Sequence, residues 1–140
     1  MKKLVRFCSL ILTLSFVLSI VASAAVTRAS PFISDYEINA KACGGGQIAI
    51  DFSVFGNARM SRIGALEIIV YQKSGSSWNI KHTYDEYDTG MAVSNAPEYG
   101  NTIYYDGTVG ATYMVEVTIF ARNSAGEDTR SQTFSSIVVR

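Results

Sequence analysis

From about residue 33 onward, apolar and polar side chains alternate with period two, and no stripe of helical period competes. In residues 47–55, Ile48, Ile50, Phe52 and Val54 fall on one face, and Gln47, Ala49, Asp51 and Ser53 on the other. That is the pattern of a strand with one dry and one wet side. Residues 65–72 repeat it, with Leu66, Ile68 and Val70 expected inward and Glu67 outward, although Ile69 and Tyr71 make the outer row less polar. A turn-rich gap at 73–77 precedes a strand at 78–84, so the pair predicts a hairpin. The clearest alternation runs over 113–123, where Tyr113, Val115, Val117, Ile119 and Ala121 form one row. Residues 124–128 close a second hairpin, with Gly126 placed for a positive φ angle, and 129–139 return as the final strand. An opening strand at 33–42 and a short one at 101–105 complete the set, with Gly44, Gly45 and Gly46 making a tight reversal between the first two strands.

Strands bounded by turns, with no room for crossover helices, predict an all-β fold: an antiparallel β-sandwich of about seven strands. A second layer is required because a lone sheet would leave the row of Ile48, Ile50, Phe52 and their counterparts in water.

The first 24 residues break the alternation and read as a secretory signal peptide. Lys2, Lys3 and Arg6 give a basic start, an apolar run follows, and Ala22-Ser23-Ala24-Ala25 supplies the small residues of a cleavage site after Ala24 or Ala25. The competing assignment is a retained anchor, since residues 7–27 are uncharged and number 21. Ser9, Thr13, Ser15, Ser19 and Ser23 dilute that span, so cleavage and a secreted, extracellular product with no lasting membrane anchor are expected.

Removing the leader changes the charge. Three of the twelve basic residues leave with it and none of the twelve acidic ones do, so the mature 116 residues carry −3. A weakly acidic chain lacks the electrostatic footprint of a nucleic-acid or anionic-membrane binder. Cys8 is also lost, leaving only Cys43. No internal disulfide can form, and 116 residues suffice for one domain held by packing, residues 25–140.

The segment from Gly110 through Tyr113 and Ala121-Arg122-Asn123 to Gly126 resembles the penultimate strand and last hairpin of fibronectin type III domains. The resemblance implies that Tyr113 is a tyrosine corner, its hydroxyl tied to backbone near residues 107–110. No Trp stands near residues 51–54, where such domains usually carry one, so immunoglobulin-like relatives stay open. Over the mature length, Met60, Ile63-Gly64-Ala65, Glu67 to Val70, Ser74 to Trp78 and Gly110 to Tyr113 look like an uncharacterised family of small secreted proteins from Gram-positive, clostridia-like bacteria. That family brings fold and location but no activity.

Candidate chemistry is sparse. His82 is the only histidine and stands on a predicted strand beside Lys81 with no orienting partner, so triad and multi-histidine metal chemistry have no second member. Asp85, Glu86 and Asp88 offer oxygen ligands to a hard cation, but their spacing matches no EF-hand loop and fits a solvated acidic turn better. Cys43 has neither a His nor a second Cys nearby. No catalytic residue, cofactor or metal ligand is assigned.

The aromatics carry more weight. Trp78, Tyr84, Tyr87, Tyr99, Tyr104 and Tyr105 fall between the middle hairpin and the next strand, and side chains of this type make flat platforms for sugars or partner proteins. Packing competes with that role, most strongly for Trp78. The expectation is a non-enzymatic secreted module that binds an extracellular protein or cell-surface glycan. The alternative is an assembly subunit pairing through strand edges or Cys43.

Overall fold

The computed structural model describes residues 30–140. The leader assigned to residues 1–24 lies outside the described residues. Six strands follow one another: β1 (Ile33–Gly44), β2 (Gln47–Ser74), β3 (Ser77–Asp85), β4 (Ala92–Asp106), β5 (Thr112–Asn123) and β6 (Gly126–Val138). All join one antiparallel sheet.

β2 is the spine. Its first part pairs with β1 through Gln47 to Gly56 and its last part with β5 through Arg62 to Gln72, both along one side. Along the other side, β4 covers Gln47 to Gly64 and β3 covers Glu67 to Ser74. The sheet therefore has two halves, β1–β2–β4 and β3–β2–β5–β6. β1 also lies against β5 and β6, so the sheet curls until both halves share one core. That core joins Ile38, Ile48, Ile50 and Val54 of the first half to Ile68, Val70, Val115, Val117 and Ile119 of the second.

Six strands stand where about seven were expected because residues 47–55 and 65–72 belong to a single strand of 28 residues. The stretch between them stays extended. Arg62, Ile63 and Gly64 pair with Ser94, Val93 and Ala92 on one side and with Arg122, Ala121 and Phe120 on the other. Gly64 makes this junction possible: at φ 149°, a Cβ there would lie 2.4 Å from the Met91 carbonyl oxygen. That carbonyl accepts the Ala65 N–H at 2.7 Å.

Two local differences have similar causes. A bulge between Ala65 and Glu67 shifts the inward phase of β2 from Ile63 and Ala65 to Ile68 and Val70, so Leu66 is half-buried rather than inward. β4 starts at Ala92 instead of near Asn101, although Asn95, Pro97 and Gly100 are poor strand formers. Pairing with β2 overrides their propensity, and Pro97 sits in the irregularity between Glu98 and Ala96, where no regular ladder bond is needed.

The hairpins turn at residues 45–46, 75–76 and 124–125. Gly45 and Gly46, at φ 61° and 80°, supply the left-handed pair that a two-residue turn requires. Gly126 has φ 155°, and a Cβ on it would meet the Phe32 ring at 3.2 Å. The segment before β1 is tied down nearby. Asp128 accepts the Ser30 hydroxyl and the Phe32 N–H, and the Asn57 amide donates to the carbonyls of Ser30 and Pro31.

Candidate functional site

The outer face of β1, the first part of β2 and β4 is built in rows fixed by strand register. Asp35, Phe55 and Glu98 form the first row, and Glu37, Ser53 and Gly100 the second. Asn39, Asp51 and Thr102 form the third, and Lys41, Ala49 and Tyr104 the fourth. These are the odd-numbered positions of β1 and β2, turned away from the core residues between them.

The two middle rows sink into a depression of about 530 Å³. The Thr102 hydroxyl donates to Asp51 Oδ1 at 2.6 Å, which leaves the second carboxylate oxygen free to accept from a ligand. Gly100 keeps the floor low: a Cβ there would stand 3.1 Å from Ser53 Cβ and 3.0 Å from the Phe52 carbonyl. A second hollow of about 230 Å³, bordered by Phe55 and Glu98, shares Ser53 and Gly100 with the first. Tyr104 rises beyond the third row and is 58% exposed. Carboxylates, the Asn39 amide, the Ser53 and Thr102 hydroxyls and the Phe55 ring thus line an open trough, with Tyr104 in the next row.

The six aromatics singled out in the sequence do not share a surface. Tyr105 packs edge-on against Tyr113 with ring centres 5.8 Å apart, and Tyr84 packs against His82 at 4.2 Å. Burial, helped by neighbouring tyrosines, pushes the phenols of Tyr84 and Tyr105 above their ordinary pKa. Tyr99 leans on Phe52 and donates its hydroxyl to the Gly90 carbonyl at 3.1 Å. Trp78 is half-buried outside the core, 6.0 Å from the Lys73 ammonium. Tyr87 is 77% exposed and lies over the Arg62 guanidinium at 4.9 Å. Of the six, Tyr99 lines the second hollow, and Tyr104 stands on the outer face in the row next to the first.

Tyr113 is buried, and its hydroxyl accepts the Thr108 N–H at 2.8 Å, the bond that defines a tyrosine corner. His82 is exposed on the edge strand β3. Cys43 is exposed, with its thiol 3.6 Å from the Gln47 carbonyl.

The acidic segment has structural work of its own. Asp85 and Asp88 accept backbone N–H groups within their own turn. Glu86 is only 8% exposed and accepts from Arg62 Nε at 2.7 Å and from Arg122 at 3.2 Å. Arg62 and Arg122 are directly opposite each other on β2 and β5, so one carboxylate screens two like charges. Among the described residues, no three His, Cys, Asp or Glu side chains converge to hold a metal ion.

The sequence marked Asp51 and Ser53 as outward polar positions without bringing them to Asn39 or Thr102. The alternation was legible, but only strand pairing puts residues 12 and 51 positions apart into one row.

No family model matches the chain, and no curated protein matches it either. Among solved structures, the chain is similar to the sporulation control protein Spo0M from Bacillus subtilis, at 10% identity and a TM-score of 0.41. The likeness covers 76% of this chain, which spans about half (48%) of the Spo0M chain.

Proposed function

We propose that this protein is a secreted, non-catalytic binding module of the fibronectin type III or immunoglobulin-like sandwich kind, and that it binds cell-surface glycan through the trough on β1, β2 and β4. The signal-like leader supports export, and the Tyr113 corner together with a core shared by two sheet halves supports the sandwich assignment. Membership of the Gram-positive family of small secreted proteins is part of the same proposal. The observation that carries the binding reading is the third row. There Asn39, Asp51 and Thr102 meet beside the bare Gly100 position, with Tyr104 standing next to them. Sugar hydroxyls need acceptors and donors on an open floor with an aromatic ring alongside. A protein partner would instead call for apolar anchors in a packed pocket.

The test is a glycan array with the mature protein, followed by titration of the retained glycans against Asp51→Ala and Tyr104→Ala. Each substitution is expected to weaken binding about tenfold, equivalent to about 1.4 kcal/mol. Retention of no glycan, or affinities that neither substitution changes, would refute the reading.

Assembly through strand edges or Cys43 has one observation in its favour, the exposed thiol. Three of the four edge strands are interrupted. β3 carries an extra residue, Lys81, between its pairings to Val70 and Tyr71. β4 holds Pro97 and the positive-φ Asn95, and β6 holds the positive-φ Ser136. Such features discourage edge-to-edge pairing. Light scattering and a non-reducing gel should therefore report a single copy.

A further inference from the structure

The trough is longer than one sugar. From the row of Asp35, Phe55 and Glu98 to the row of Lys41, Ala49 and Tyr104 is six residues of β1, roughly 20 Å at ~3.3 Å per residue. The two hollows share Ser53 and Gly100 and so adjoin along the strands. An aromatic ring stands near each end: Phe55, 39% exposed, and Tyr104.

The charge along this path is one-sided. Glu37, Asp51 and Glu98 line it and Asp35 stands in its end row, against the single cation Lys41. Among the described residues, none of these four carboxylates forms an ion pair, whereas Glu86 and Glu127 elsewhere are both held by arginines. By strand spacing, Asp35 and Glu37, Asp35 and Glu98, and Glu37 and Asp51 are each roughly 10 Å apart or less, about a Debye length at 0.1 M salt, so neighbouring carboxylates act together on a ligand.

We propose, resting on the glycan-binding reading above, that the ligand is an oligosaccharide bearing free amino groups: a chain of amino sugars at least partly lacking N-acyl groups. Its ammonium groups meet Glu37, Asp51 and Glu98, its hydroxyls meet Asn39 and Ser53, and the apolar faces of its rings lie on Phe55 and Tyr104. A fully N-acylated chain has no cation to offer and leaves the carboxylates uncompensated.

Isothermal titration of the mature protein with three probes decides the matter: a glucosamine hexamer, an N-acetylglucosamine hexamer and a lysine hexamer, each at 50 and 300 mM salt. The glucosamine hexamer is expected to bind at least about tenfold more tightly than either of the others, with affinity falling at the higher salt. Glu37→Gln and Glu98→Gln are exposed, isosteric changes. Each should cost the glucosamine hexamer about threefold or more while leaving the thermal midpoint in place. Equal binding of the two sugar hexamers would overturn the amine requirement and leave glycan binding standing. Lysine-hexamer binding as tight as that of glucosamine would overturn the sugar class. Binding of neither sugar, together with an empty array, would remove both the inference and the reading beneath it.

Discussion

The two halves of the sheet share one spine strand and one core, yet their outer faces differ in apolar content. In the β1–β2–β4 half, the outer row of β2 reads Ala49, Asp51 and Ser53, flanked by Glu37, Asn39 and Thr102. In the other half it reads Glu67, Ile69 and Tyr71, flanked by Met114, Glu116 and Thr118 on β5 and by Ile80 on β3. There Tyr71 and Met114 are half-buried, and Ile80 is 61% exposed. The same antiparallel pairing thus supports a hollowed polar face in one half and a face with more apolar side chains in the other. The inward rows answer to packing and look alike. The outward rows answer to whatever the protein meets, and that is where the halves diverge.

The sharpest way to break the comparison is to break the junction that makes the halves one sheet. Gly64→Val places a branched side chain against the Met91 carbonyl and Ala92, in a backbone conformation that valine avoids. A loss of about 4 kcal/mol or more is expected, read by urea denaturation of the purified variant. A cost below about 1 kcal/mol would mean that the two halves do not depend on this close crossing.

Next in size is a test of whether the core is truly common. Ile50→Ala in one half and Val117→Ala in the other should each cost about 2–4 kcal/mol. Both variants should still unfold in a single transition by fluorescence and circular dichroism. Two separated transitions in either variant would show that the halves fold independently.

Glu86→Gln comes third. It removes the charge between Arg62 and Arg122, which face each other across the strands where the halves meet. About 1–3 kcal/mol is expected, and raising the salt concentration should recover part of it. Tyr113→Phe, which leaves the Thr108 N–H without its acceptor, should cost about 1 kcal/mol in the same assay.

The smallest effect concerns acid. Burial pushes the Asp128 carboxyl up, but hydrogen bonds from the Ser30 hydroxyl and neighbouring backbone N–H groups, with the charge of Arg130, outweigh it and hold the pKa below the ordinary value. A carboxyl held down in the folded state stabilises the fold above its unfolded pKa, and that contribution is lost as pH falls through the folded one. The thermal midpoint of wild type should therefore drop more than that of Asp128→Asn between pH 6 and pH 3. Parallel curves would mean that the tie between the leading segment and β6 adds nothing.

Much of the strand content could be read in the chain because burial on one side of a sheet imposes alternation on each strand separately. The row of Tyr113, Val115, Val117, Ile119 and Ala121 and the row of Ile48, Ile50, Phe52 and Val54 fall inward as their spacing demands. Leu66 and residues 92–100 were illegible for the opposite reason. A bulge changes phase without changing composition, and pairing with β2 holds Asn95, Pro97 and Gly100 in a strand that their own preferences oppose. The candidate site was less legible still. Tyr104 was picked out as a residue type, but Glu37, Asn39 and Thr102 are ordinary strand residues until their neighbours are known.

By itself, then, the sequence determined the all-β character, the hairpin positions and most of the inward rows, since each depends on residues close together along the chain. Tertiary structure alone decided that two predicted strands are one, that the sheet curls around a common core, and that polar residues from three strands line a single trough. Period-two alternation tells each side chain which face it takes but not which strand lies beside it. Register, set by long-range pairing, carries that second piece of information.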